Sequence, residues 1–198
     1  LGRSVPEALA WLKANKGRKF FLFLHGYDAH GQSTPDDGLD HRYVERGYDG
    51  RYSGTEQEQE ALREEGLQKG FLTLRDADVR FWRAVYDEKI NRADALFKGF
   101  LDEFAKLGLM GNTLFVVTSD HGTEVYEHRR FDHGFTLYDE LIRVPLFIRF
   151  PGQAGGKTVE EAASSVDVMP TILALAGVPA PKAQQRGRSL VPLIRGEG

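Results

Sequence analysis

Apolar positions along this chain fall into helical and strand-like patterns, and their order predicts an architecture. In Val5 to Asn15 ("VPEALAWLKAN") Leu9 and Leu12 share one helical face, and Ser4 is placed to cap the segment. After the charged "KGRK", the run Phe20 to Leu24 ("FFLFL") is short and continuous, as in a strand covered on both faces. "TEQEQEALREEG" predicts one or two solvated helical turns. From Asp76 to Leu107 a long helix is expected, because Val79, Trp82, Val85, Ile90, Ala93, Leu96, Phe97, Phe100 and Phe104 recur at helical spacing. Those aromatics read as core, not as a cofactor box, and Gly108 sits where a C-terminal cap belongs. Asn112 to Ser119 and Val144 to Phe150 are the second and third buried strands. "SSVDVMPTILALAGV" gives a short extended piece and then a helix, with Asp167 as cap, Pro170 in the first turn and Gly177 at the end. Strands alternating with helices predict an α/β fold, a mostly parallel sheet flanked by helices.

The aperiodic stretch 32–54 reads as a long surface loop, a kind that is functional or structureless. Its Tyr43, Tyr48 and Tyr52 are candidates for a pocket wall. With 198 residues and 41% hydrophobic content the chain can bury a real core, and one domain is the default. A formal charge of -3 with scattered Lys and Arg argues against a nucleic-acid footprint. No apolar run reaches membrane-spanning length. The lack of cysteine excludes disulfides, thiolate metal sites and a cysteine nucleophile within these residues. The chain opens without an initiator Met or a signal peptide, which makes a fragment of a longer protein the expectation.

Chemistry concentrates at two predicted strand ends, "HGYDAHG" and "SDHG", where open α/β sheets collect their ligands. Of six histidines, His25, His30, His121, His128 and His133 lie in or beside the two loops. Asp120 and His121 offer a carboxylate oxygen and an imidazole side by side, with Gly122 supplying a bend. Carboxylate-rich sites suit calcium, magnesium or manganese, and added histidines suit zinc. On spacing alone the blander reading, a turn cap at Asp120 and a satisfied rim histidine at His121, comes first. Asp28 is either an Asx-turn or a ligand, and Arg129 and Arg130 either hold an anion or are solvated.

"NTLFVVTSDHGTEVYEHRRFDHGFTLYDELIRVPLFIRFPG" resembles the sulfatase segment of the alkaline phosphatase superfamily. "KFFLFLHGYDAHGQ" resembles that family's P-F-F-L strand with its Y-D-x-H loop. "SSVDVMPTILALAGVPAP" and "QRGRSLVPLIRGE" resemble its V-D-(I/V)-M-P-T and G-R-S-L segments. The similarity runs from about Phe20 to Glu197 and lapses between Gln32 and Gly70. It implies an alkaline-phosphatase-like fold and hydrolysis of sulfate esters on small molecules or glycans. It also implies a divalent cation, usually calcium with zinc or manganese as alternatives, held at Asp120 and His121. By the same resemblance His30 and His133 contact the sulfate or the leaving oxygen, His133 standing where lysine is commoner. His25, Asp28, His128 and Arg129 become possible substrate contacts, and export from the cytosol is implied.

The family's nucleophile, a formylglycine made in C/S-x-P-x-R, has no counterpart here; "SVPEA" at Ser4 lacks the arginine. Residues 1–198 are therefore expected to be a partial sulfatase domain, inactive alone, whose partner is its missing N-terminal segment. Two rivals remain. One is a phosphatase, phosphodiesterase or phosphonate hydrolase of the same superfamily, for which Asp37 to His41 has a zinc-type spacing treated as chance. The other is a non-catalytic domain that keeps the fold to bind a partner or a sugar. An imidazole at 133 predicts activity that falls as its proton is lost; a flat profile between about pH 5 and 8 in the full enzyme contradicts this.

Overall fold

The computed structural model describes residues 1–30, 40–179 and 186–197. They form two compact units, 1–152 and 153–198. In the first, helix α1 (Ser4–Asn15) buries Val5, Ala8 and Leu12, spaced to fall on one face. Ser4 does not cap it: Arg3 takes the flanking position, and the Ser4 hydroxyl donates to the His25 carbonyl at 3.3 Å. Residues 20–24 are extended but pair with no strand among the described residues. Phe20, Leu22 and Leu24 turn onto the α1 core, whereas Phe21 and Phe23 remain 74% and 77% exposed. The expected cover on both faces is thus cover on one, with the period-2 alternation of extended backbone.

Helix α2 (Glu56–Lys69) runs 14 residues, longer than its charge run suggested. Thr55 and Glu58 form a capping box at its start, and Gly70 closes it with φ of 78°. Leu62 and Gly66 are buried, giving the helix one apolar edge. Helix α3 (Asp76–Lys106) is the spine. Its first half packs Phe81, Trp82 and Val85 with Leu62, Leu72, Val125 and Phe131. Its second half packs Phe100 and Phe104 against α1 and residues 20–24. Gly108, with φ of 76°, ends it as expected. Tyr48 and Tyr52 pack against the first of these cores. Asp37 lies outside the described residues, and His41 sets its ring edge-on to Phe81.

The expected mostly parallel sheet is, among the described residues, two antiparallel pairs. Strand β1 (Phe115–Thr118) pairs with β4 (Leu146–Arg149), Phe115 opposite Arg149. A parallel neighbour would need a crossover, usually helical. Here the connection is spent instead on a hairpin, β2 (Glu124–Val125) with β3 (Phe131–Asp132), and on the single turn α4 (Asp139–Ile142). The turn is clamped to the loop after β1, since Gly122 N–H donates to the Leu141 carbonyl at 2.8 Å.

In the second unit, α5 (Val168–Leu175) and α6 (Val191–Arg195) are joined through Thr171, whose buried hydroxyl donates to the Asp167 carbonyl and accepts from Leu190 N–H. Asp167 makes no cap on α5; its carboxylate accepts from the Ser164 and Arg188 amides instead. A Cβ at Gly187 would lie 2.1 Å from the Val166 carbonyl oxygen. The V-D-V-M-P-T and G-R-S-L segments therefore hold each other together.

Two outcomes follow from these contacts. The fully buried Asp78 carboxylate is held at about 2, chiefly by the Arg75 guanidinium against the opposing effect of burial, with help from Tyr48 and Arg51. A depressed folded-state pKa stabilises above the ordinary carboxylate range and loses that contribution as pH falls. Denaturant unfolding should therefore lose roughly 2 kcal/mol between about pH 4 and pH 2, and Asp78→Asn should lose it already at pH 7. At Gly122 a Cβ would sit 1.9 Å from the Glu140 carbonyl oxygen, so Gly122→Ala should cost about 1–3 kcal/mol or more in thermal unfolding.

Candidate active site

Three loops meet in an open cleft of about 510 Å³: residues 25–30 after the first extended segment, 119–123 after β1, and the residues following β3. They bring together His30, His121 and His133, each offering a ring nitrogen within 4.8 Å of the others. His121 and His133 stack with centroids 3.8 Å apart, and His30 stands edge-on to both, at 6.0 Å and 5.1 Å. The ring nitrogens are not equivalent. His121 Nδ1 donates to the Gly122 carbonyl at 2.8 Å, which leaves Nε2 for other partners. That Nε2 lies 3.8 Å from Asp120 Oδ1, a separation that a cation about 2.0–2.4 Å from each atom would span. Backbone anchoring of this kind is usual for a metal-ligating histidine. The donor set, one carboxylate and up to three imidazoles, fits a divalent cation.

Electrostatics sort the groups further. Burial is the largest influence on Asp120 and pushes its carboxyl up, but His121, the backbone amides at 120 and 121 and His25 outweigh it, so the group stays below the usual range. His30 is pushed below the ordinary imidazole range, first by burial and then by His133 and His121, with Asp132 and Asp120 opposing. These influences together favour the neutral ring of His30.

The other sequence candidates are distributed unevenly. His25 lines the cleft rim, exposed, with its ring 5.0 Å from that of Tyr27. Asp28 pairs with the Leu1 amino group. His128 lies apart from the cluster: its Nδ1 meets Glu140 at 2.5 Å, its amide donates to Glu124, and its ring stacks on Tyr138 at 3.5 Å. Arg129 donates to the Leu72 carbonyl and the Thr73 hydroxyl and lies over the Phe71 ring, and Arg130 donates to the Gly70 carbonyl. Both arginines stitch the hairpin to the end of α2.

Two further residues belong to the site. Tyr86 projects from α3 into the cleft, its phenol pushed up by burial. Asp132 stands behind His133, with its Oδ1 2.5 Å from Nδ1. Tyr86 was hidden in the apolar stripe of a helix. Asp132 was in plain view within "FDHG", but nothing in the spacing marks it as buried.

The sulfatase family model matches residues 3–178. Arylsulfatase K of Xenopus laevis is 35% identical over 119 residues, 60% of this chain and 22% of that one. Among solved structures, the phosphonate monoester hydrolase SpPMH from Silicibacter pomeroyi superposes with a TM-score of 0.59 at 35% identity, over 64% of this chain and 25% of its own. The protein BT4656, solved with its substrate D-glucosamine-2-N,6-O-disulfate, gives 0.55 at 25% identity, over 96% of this chain and 45% of its own. This chain thus spans less than half the length of each of these relatives. With a match running through both strand-end loops and into the second unit, the chain belongs to the sulfatase family.

Proposed function

We propose that this chain supplies the cation-binding and anion-facing half of a sulfatase active site that hydrolyses sulfate esters. The observation that carries the reading is the convergence of His30, His121 and His133, drawn from separate loops, beside Asp120. Asp120 and His121 Nε2 would hold the divalent cation, which when bound supplies Lewis-acid stabilisation of the sulfate oxygens. His121 is set for this by the Gly122 carbonyl on its far nitrogen. His133, through Nε2, faces the same space and would donate to the sulfuryl or leaving oxygen. Burial lowers the basicity of His30, which favours its neutral ring, and a bound anion would work against that depression.

Calcium needs more oxygen donors than Asp120 provides. Together with the missing formylglycine motif, this favours residues 1–198 as one part of a larger catalytic domain. The family resemblance makes a sulfated sugar or aryl ester the substrate class, and the aminosugar disulfate bound by BT4656 supports the sugar. Export goes with the same reading; no helix of the described residues is long and apolar enough to cross a membrane.

A second reading has one observation in its favour. Three imidazoles suit zinc better than calcium, and SpPMH is a phosphonate monoester hydrolase. One set of assays separates the readings. The 198-residue chain alone should turn over no aryl sulfate, while the complete enzyme should hydrolyse sulfate esters in preference to phosphonate monoesters. In the complete enzyme His133→Ala should lower kcat by about 100- to 1000-fold. Asp120→Asn should abolish calcium binding as read by titration calorimetry. Preference for phosphonate esters with zinc bound would move the function to the second reading.

A further inference from the structure

The contacts behind His133 are more specific than its place in the cleft requires. Asp132 immediately precedes it, is only 3% exposed, and sets Oδ1 2.5 Å from His133 Nδ1. Its other oxygen, Oδ2, lies 3.2 Å from Nε of Arg63 on α2. Arg63 is itself fixed, with Nη1 donating to Glu60 at 3.1 Å and its guanidinium 5.1 Å over the Phe135 ring. One oxygen thus meets the imidazole and the other lies in an ion pair that lacks hydrogen-bond geometry, so turning the group would still break a contact.

The backbone points the same way. Asp132 has φ of 75°, left-handed, while paired in β3 opposite Glu124. Aspartate tolerates this region better than most L-residues, so the cost is modest, and glycine would avoid it. A strained residue held in place by its neighbours directs attention to what its side chain does. Here the side chain grips a single imidazole nitrogen.

We propose that Asp132, backed by Arg63, is a positioning residue for His133: it fixes the ring in the Nδ1–H tautomer and so makes Nε2 its only working nitrogen. A carboxylate oxygen can only accept, so the proton on this contact belongs to Nδ1. Nε2 is left with its lone pair when the ring is neutral and with a hydrogen to donate when it is charged. The stacked neighbour His121 is anchored through the same atom by the Gly122 carbonyl. Two adjacent rings thus keep their Nε2 atoms for one ligand, one held by main chain and the other by a buried carboxylate. The Asp132–Arg63 contact replaces, for an imidazole, the orientation that a flexible lysine finds unaided. The proposal rests on the reading of His133 as an anion-facing side chain, but its test does not require turnover.

The test is long-range proton–nitrogen NMR on the 15N-histidine-labelled chain, with His133 assigned by the signal lost in His133→Gln. The neutral His133 ring should carry its hydrogen on Nδ1. In Asp132→Gly, a substitution that relieves the left-handed strain and removes the carboxylate, that Nδ1–H signal should be lost while the corresponding His121 signal stays. Arg63→Gln should shift the His133 signal from behind. An Nε2–H ring in the unsubstituted chain overturns the proposal whatever the variants do, and so does an unchanged Nδ1–H ring in a folded Asp132→Gly. A sulfatase assay that fails leaves this result standing, and an Nε2–H ring leaves the sulfatase reading standing.

Discussion

Continuity of α3 is the constraint on which the first unit depends. Its 31 residues make a rod about 45 Å long, and two separate cores are built on its two halves. The segment before the 25–30 loop packs, through Leu22 and Leu24, on the Phe100 and Phe104 half. The hairpin that delivers Asp132 and His133 packs, through Val125 and Phe131, on the Trp82 and Val85 half. His30 and His133 therefore meet because one helix is unbroken between their supports. Pro inside it would break the helix between those two supports and disturb the spacing of the loops they carry.

The loops add their own rigidity. Gly122 lets the chain after β1 press against the carbonyl groups of α4, at a distance that a methyl group would forbid. Across the hairpin, Arg129 and Arg130 bind carbonyls at 70–72, and His128 bridges to Glu140. The histidine-rich stretch after β1 thus divides by physical role. His121 and His133 face the cleft, while His128 and the arginines hold the loop that presents them.

This division was not legible in the sequence, and the reason is instructive. His128 and His133 are alike in residue type and lie in one stretch after the strand; only resemblance to a family separated them beforehand. What periodicity does record is the direction of a face, and α3 with its terminal Gly108 was found on that basis, although Ile90 of the predicted stripe stands 44% exposed. Pairing is a different matter. The run Phe20 to Leu24 has five apolar residues and no polar one, so its phase could not be read, and the exposure of Phe21 and Phe23 did not show. Likewise the antiparallel partnership of β1 and β4 is decided by what the intervening residues do, not by the strands themselves. The chemistry at the strand ends was visible because acids and imidazoles are uncommon beside glycine at such places. The burial of Asp132, which gives it its role, comes from α2, far away in sequence.

Tyr86 carries a last consequence. It stands one residue from Val85 and four from Trp82, so the turn of α3 that fills the aromatic core also forms part of the cleft wall. Any change of volume in that core is transmitted to the wall, since packed side chains move their neighbours when they resize. Mutational drift under pressure for stability alone would therefore reshape the cleft. In this fold the evolution of robustness and the evolution of cleft shape draw on the same few side chains.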